Sequence, residues 1–485
     1  MYICSVVSKL YVMAKLIGRH SESAQLDEIM QSDNPECVVI FGRRRIGKTF
    51  LINQYFGNHF TFKHTGLASK NKTEQLQNFG ETLRSFGSKL CPDPKDWREA
   101  FAMLRTLLDN TKPKGGKKVV FIDELPFMAT PKSGLITALE HFWNDYGCTQ
   151  SNLVLIICGS ATSWIAKNII KNKGGLHNRI TRRIYLRPFT VGECNEYFKA
   201  NNIIFSHKDN LECYMVMGGV PYYLSMIERG KSLAQNIDQM FFWRQGKLYG
   251  EFDALYASLF EESATYIKVI EAISKKNKGL SRKEIIKATG LPDGGSLTKI
   301  LDDLDNCDFI RKYNSINYKE RNCIYQLCDF YSLFYFKFIK KFGTTEKDFW
   351  TLQLNTPLHN AWAGYAFEQF CLLHISAIEK ALGISGIQTR VSCWQSQKSE
   401  NGAQIDLVIS RADNIVNICE IKFWNTPYTI TKKYHSELMN KIETFRTETK
   451  CRQAIHLVMI TTYGIVRNEY SNIVQKEITM EDFFE

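Results

Sequence analysis

The chain has 485 residues, 44% of them hydrophobic, enough for separate cores and for about three domains. Its 62 Lys and Arg against 50 Asp and Glu leave a net charge of +12, a mild hint of nucleic acid or another polyanion. No run reaches the about eighteen apolar residues of a membrane span, and the 14 cysteines contain no Cys-x-x-Cys pair, which argues against a zinc set and for a reducing cytoplasm.

In chain order, the first residues lack a small-residue cleavage site. Met13-Ala14-Lys15-Leu16 reads as a better start, leaving 1–15 as an extension. Next, Gly42-Arg43-Arg44-Arg45-Ile46-Gly47-Lys48-Thr49 carries the Gly-x-x-x-x-Gly-Lys-Thr spacing that cradles a polyphosphate in backbone N–H groups. The apolar Cys37–Phe41 before it reads as a buried strand, and Thr49-Phe50-Leu51-Ile52 opens a helix facing the phosphates. Gly42 and Gly47 permit the tight turn, Lys48 reaches the β and γ oxygens and the Thr49 hydroxyl ligates Mg²⁺. The candidate nucleotide-binding positions are therefore 42–50, from Gly42 through Phe50, Arg43, Arg44, Arg45 and Ile46 included.

Asn71 to Ser88 and Trp97 to Asp109 have helical spacing, interrupted at Cys91-Pro92-Asp93-Pro94. The apolar strand Lys118–Ile122 then ends in two carboxylates: Asp123 for Mg²⁺, and Glu124 to orient or deprotonate the attacking water, so hydrolysis is expected. A third strand, Leu153–Cys158, ends at Gly159-Ser160, where Ser160 either senses the γ-phosphate or simply closes a turn. Arg179, Arg182 and Arg183 follow, as an arginine finger or as a solvated edge. A finger supplied by a neighbouring copy would require a homo-oligomer.

Ile17-Gly18-Arg19 with Glu22, the arginine-filled phosphate loop, Phe121-Ile122-Asp123-Glu124-Leu125-Pro126-Phe127, Cys158-Gly159-Ser160-Ala161-Thr162, Arg182–Phe189 and Gly218-Gly219-Val220-Pro221-Tyr222-Tyr223-Leu224 together resemble the archaeal-type ATPase family. That resemblance covers about residues 16 to 330. It implies an α/β fold of the P-loop NTPase type, AAA- or STAND-like, with a parallel sheet in 16–195, a helical lid in 196–260, ATP as the nucleotide and Pro221 near the adenine.

Beyond the lid, Ala264 to Ser274, Ser281 to Thr289 with a Ser N-cap and a Gly290 stop, and Gly295 to Asn306 outline three helices. With the hairpin Phe309–Tyr313 to Cys323–Leu327 they outline a winged helix over 261–330. Its third helix carries Asp302, Asp303 and Asp305 against Lys299, which phosphate repels, so interdomain packing competes with DNA reading.

In 331–485 a helix (361–379) precedes strands at Gln388 to Trp394, Gln404–Ile409 and Ile415–Lys422, a helix from about Lys432 to Phe445, and a strand Ala454 to Thr461. That order is the core of restriction-endonuclease-like folds. Glu420 and Lys422 project from one face, with Asp406 on the adjoining strand. Asp406 and Glu420 can bind Mg²⁺ or Mn²⁺ while Lys422 positions water against a phosphodiester, or the hairpin simply faces solvent. The pattern Asp406…Glu420-Ile421-Lys422, with Glu368 in the preceding helix, is similar to PD-(D/E)xK nucleases, although Gln404-Ile405 stands where their proline falls. The resemblances imply an ATPase gating a metal-dependent deoxyribonuclease. A nucleotide-switched DNA-binding regulator with an inert C-terminal domain, or a protein-remodelling ATPase, are the alternatives.

Overall fold

The computed structural model describes residues 16–484 apart from 70, 89–90, 114, 172–173, 177, 314–322, 344–347 and 397–402. The expected extension 1–15 lies outside the described residues. The chain divides into two compact units, Met1–Arg187 and Pro188–Glu485.

The first unit is built on strands β1 (Glu36–Phe41), β2 (Phe60–Thr65), β3 (Lys118–Asp123), β4 (Leu153–Gly159) and β5 (Arg182–Tyr185), in the order β2-β3-β4-β1-β5. All pairings are parallel. Parallel strands need crossovers and are covered on both faces, which is why β1, β3 and β4 read as continuous apolar runs. Strand alternation divides their side chains: Cys37, Val39, Val120 and Ile122 enter one core with Phe79, Trp97 and Phe142, while Val38, Ile40, Val119 and Phe121 enter the other with Leu26, Leu51 and Ile52.

The helices expected between the nucleotide motifs form at Lys72–Ser85 and Trp97–Asn110, capped by the side chains of Asn71 and Asp96. Strand β2 was not among the expected elements. Its sequence FTFKHT mixes polar residues into a run too short to stand out, and it forms because β3 supplies its hydrogen-bond ladder.

In the second unit Phe189, Val191 and Cys194 already belong to its core, so the boundary falls ahead of residue 195. One apolar cluster runs from the helices Val191–Ala200 and His207–Met217 to Phe483. The segments read as lid, winged helix and C-terminal domain thus share a core. The three helices of the middle segment form at Ser263–Ser274, Arg282–Thr289 and Gly295–Asn306, with a Ser281/Glu284 capping box and Gly290 in the left-handed conformation. Strands β6 (Leu280–Ser281), β7 (Ile310–Tyr313) and β8 (Ile324–Leu327) pair antiparallel in the order β6-β8-β7.

The last sheet contains β9 (Thr389–Gln395), β10 (Gln404–Arg411), β11 (Ile415–Lys422), β12 (Ala454–Thr461) and β13 (Val474–Ile478), ordered β13-β12-β11-β10-β9. Strands β9, β10 and β11 are antiparallel neighbours, and β12 and β13 join in parallel. The helix preceding the sheet runs Pro357–Leu373 and breaks at His374 before Ile375–Ala381, and the later one extends over Lys432–Thr449.

Candidate functional site

The C-terminal ends of β1, β3 and β4 meet on one edge of the first sheet, with Phe41 opposite Gly159 and Ile122 opposite Ile157. Ligands of open α/β sheets bind at such strand ends. Gly42 turns the chain there with φ 151°. A Cβ on it would lie 2.2 Å from the Leu186 carbonyl oxygen and 2.5 Å from Ile46 Cδ1, so only glycine fits. Gly47, at φ 86°, caps the helix Lys48–Phe56. Within the loop Arg43 and Ile46 are buried, whereas Arg44 and Phe50 are exposed, and Arg45 adopts φ 74°.

The buried Lys48 ammonium donates to the carbonyls of Gly42 at 2.8 Å and Arg43 at 2.9 Å, which fixes it beneath the loop. Thr49 Oγ1 donates to Asp123 Oδ2 at 2.7 Å. A hydroxyl and a carboxylate, both hard oxygen donors, thus converge from two elements and suit Mg²⁺. The next residue, Glu124, takes a left-handed φ of 49°, and its Oε2 accepts from the Ser160 amide at 3.1 Å and the Ser160 hydroxyl at 2.9 Å. Ser160 therefore orients the carboxylate.

Arg19, part of the N-terminal signature but without an expected role, donates to the carbonyls of Ile46 at 2.9 Å and Arg187 at 2.6 Å. Arg182 is exposed and lies 3.9 Å from the more exposed Glu28. Pro221 opens the short helix Pro221–Leu224 in the second unit.

The second group of expected residues lines a cavity in the second unit. Leu407 pairs with Cys419 across β10 and β11, a register that sets Asp406 opposite Glu420. A register shift against β9 between Ile405 and Val408 re-aims β10 at this point. Glu420 is buried, with one oxygen accepting from Tyr434 Oη at 2.5 Å and from Lys422 Nζ at 2.9 Å, and the other from Lys441 Nζ at 2.8 Å. Burial alone would raise its pKa, but the two ammonium groups outweigh that and hold it below the usual range. Glu368 lines the same cavity, and its carboxyl is pushed up to about 8 by burial and then by Asp406. Asp406 is raised by burial and by Glu420. Sequence reasoning missed Tyr434 and Lys441, since nothing in one sequence fixes which face of a helix meets a sheet; their spacing of seven residues was the available signal.

Carboxylate oxygens are the right donors for Mg²⁺ or Mn²⁺. Among the described residues, however, no three His, Cys, Asp or Glu side chains form a group able to hold a metal. Glu420 is clasped by lysines, so Glu368, Asp406 and Glu420 do not form a metal set as they stand.

Residues 16–227 match the model of the family described as an ATPase domain predominantly from Archaea. The chain carries a P-loop ATPase domain, with ATP as its nucleotide. MJECL04, an uncharacterized protein of Methanocaldococcus jannaschii, is 25% identical over 433 residues, 88% of this chain and 91% of its own length. Among solved structures, the Walker-type ATPase PABY2304 of Pyrococcus abyssi is similar over 66% of this chain and 96% of its own, at 19% identity and a TM-score of 0.49. The ORC2 protein of Aeropyrum pernix is similar over 66% and 92%, at 12% identity and a TM-score of 0.41. No helix among the described residues is long and apolar enough to cross a membrane.

Proposed function

We propose that the protein hydrolyses ATP in its first unit and that nucleotide state controls a DNA phosphodiester site in the second. In the first unit the loop amides and Lys48 grip the phosphates, and Glu124, aligned by Ser160, takes the proton of the attacking water. Thr49 and Asp123 would hold Mg²⁺, which would supply charge neutralisation for the phosphates. Residues Gly42 through Phe50 would contact the nucleotide.

The observation that supports the second half is the meeting of Asp406, Glu420, Lys422 and Glu368, from three elements, at one cavity. The pattern is similar to PD-(D/E)xK nucleases, in which such a group cuts DNA. Cleavage here requires Glu420 to leave its lysine clasp. That clasp favours a second reading, in which the cavity holds DNA without cutting it and the protein is a nucleotide-switched regulator.

The test is to measure ATP hydrolysis with and without DNA, and plasmid nicking with Mg²⁺ or Mn²⁺ in the presence and absence of ATP. DNA-stimulated hydrolysis together with nicking that Asp406→Ala abolishes supports the nuclease. Stimulation without nicking selects the regulator. No effect of DNA on either readout overturns both.

A further inference from the structure

Glu124 stands at a strained point of the chain. It follows β3 with a φ of 49°, a left-handed conformation that a residue with a side chain keeps only where its surroundings hold it. In the order β2-β3-β4 those surroundings are the ends of the two flanking strands, and each is closed by a glycine, Gly66 just past β2 and Gly159 as the last residue of β4. Neither glycine is left-handed, so backbone conformation does not call for one at either position. Space does. A Cβ on Gly66 would lie 2.7 Å from the Glu124 carbonyl oxygen, 2.7 Å from Met128 Cγ and 3.4 Å from the Met128 amide nitrogen. A Cβ on Gly159 would lie 2.7 and 2.8 Å from the Pro126 ring carbons Cδ and Cγ. The turn that carries Glu124 is thus pinched from both flanks.

The Gly66 flank is itself fixed. Its N–H donates to the Asp123 carbonyl at 3.0 Å, continuing the ladder in which Thr65 stands opposite Asp123. The loop 66–69 is then laced to the helix Lys72–Ser85. Gln75, fully buried, donates from Nε2 to the carbonyls of Leu67 at 2.7 Å and Ser69 at 2.9 Å, and its Oε1 accepts from the Leu67 amide at 3.1 Å. The same Nε2 reaches the Phe127 carbonyl at 3.2 Å, so one side chain joins the loop to the turn that follows Glu124. Asn78 Nδ2 adds a bond to the Thr65 carbonyl at 3.0 Å. On the other flank Gly159 is followed by Ser160, whose amide and hydroxyl hold the Glu124 carboxylate.

We propose that Gly66 and Gln75 are positioning residues for hydrolysis. Gln75 sets the loop 66–69, and Gly66, by lacking a side chain, lets that loop close on the Glu124 turn and hold the carboxylate where it takes the proton of the attacking water. This rests on Glu124 being the base in the reading above.

The experiment uses the full chain with Mg²⁺ and saturating ATP, and reads the single-turnover rate, the affinity for a fluorescent ATP analogue and the melting temperature. Gly66→Ala should slow turnover about tenfold to 100-fold, the scale of a displacement of about 1 Å at a reacting group, while ATP affinity stays within about twofold. Gln75→Met, which removes the donors and keeps the bulk, should slow turnover about threefold to tenfold with the same split. The decisive comparison uses Glu124→Gln. With the base gone its placement no longer matters, so adding Gly66→Ala to Glu124→Gln should slow turnover no further, whereas a change acting elsewhere multiplies the two losses. Full multiplication, wild-type turnover in Gly66→Ala, or a loss of ATP affinity as large as the loss of turnover overturns the inference. Should Gly66→Ala fail to melt cooperatively, the same outcomes are read from Gln75→Met. Wild-type turnover in Glu124→Gln instead sinks the reading beneath it.

Discussion

The two charged sites of this chain solve one problem in opposite ways. In the first unit Lys48 is held by two backbone carbonyls, and in the second Lys422 and Lys441 are held by a single carboxylate. Carbonyl dipoles fix an ammonium beneath the loop, whereas a buried carboxylate pairs with it charge to charge. The second site must break a buried pair before its carboxylate can serve anything else.

The largest expected effect lies in the first site. Glu124→Gln keeps an acceptor for Ser160 but loses the base, so ATP should still bind while turnover falls about 10²- to 10⁴-fold, as single-turnover kinetics will read. Normal turnover would remove Glu124 from the chemistry. Next, Lys48→Ala should weaken ATP binding by about 100-fold, the ~3 kcal/mol of a lost charge-assisted contact, and unchanged affinity in calorimetry would refute the loop assignment. In the second site, Lys441→Ala should cost about 1–3 kcal/mol of stability and release one Glu420 oxygen, so that Mn²⁺ binding strengthens. If the variant binds Mn²⁺ no better than wild type, the clasp is not what keeps the metal out.

The smallest effect is on the pH dependence of stability. Folded Glu368 titrates at about 8 against an ordinary 4.5, so between those values the folded state binds more protons than the unfolded one. Stability should therefore decline as pH rises through that window. Glu368→Gln should flatten the decline in melting temperature between the two values; an equally steep decline in the variant would place its origin elsewhere.

The same contrast explains what one sequence reveals. The phosphate site is contiguous: Gly42, Gly47, Lys48 and Thr49 fall within one turn, and Asp123 and Glu124 end one apolar strand, so spacing alone located them. Capping chemistry was equally local, as at Ser281, Glu284 and Gly290. The partners of Arg19, Ser160, Tyr434 and Lys441 lie on elements far apart in sequence, and spacing within one element does not say which neighbour it meets. Strand β2 was hidden for a related reason, since its neighbour rather than its own composition makes it a strand.

Arg19 carries a mechanical corollary. Its guanidinium fastens the floor of the phosphate loop, at Ile46, to the carbonyl of Arg187, the final residue of the first unit. Loop and exit are buckled to one rigid plate, so whatever tightens the one must tug on the other.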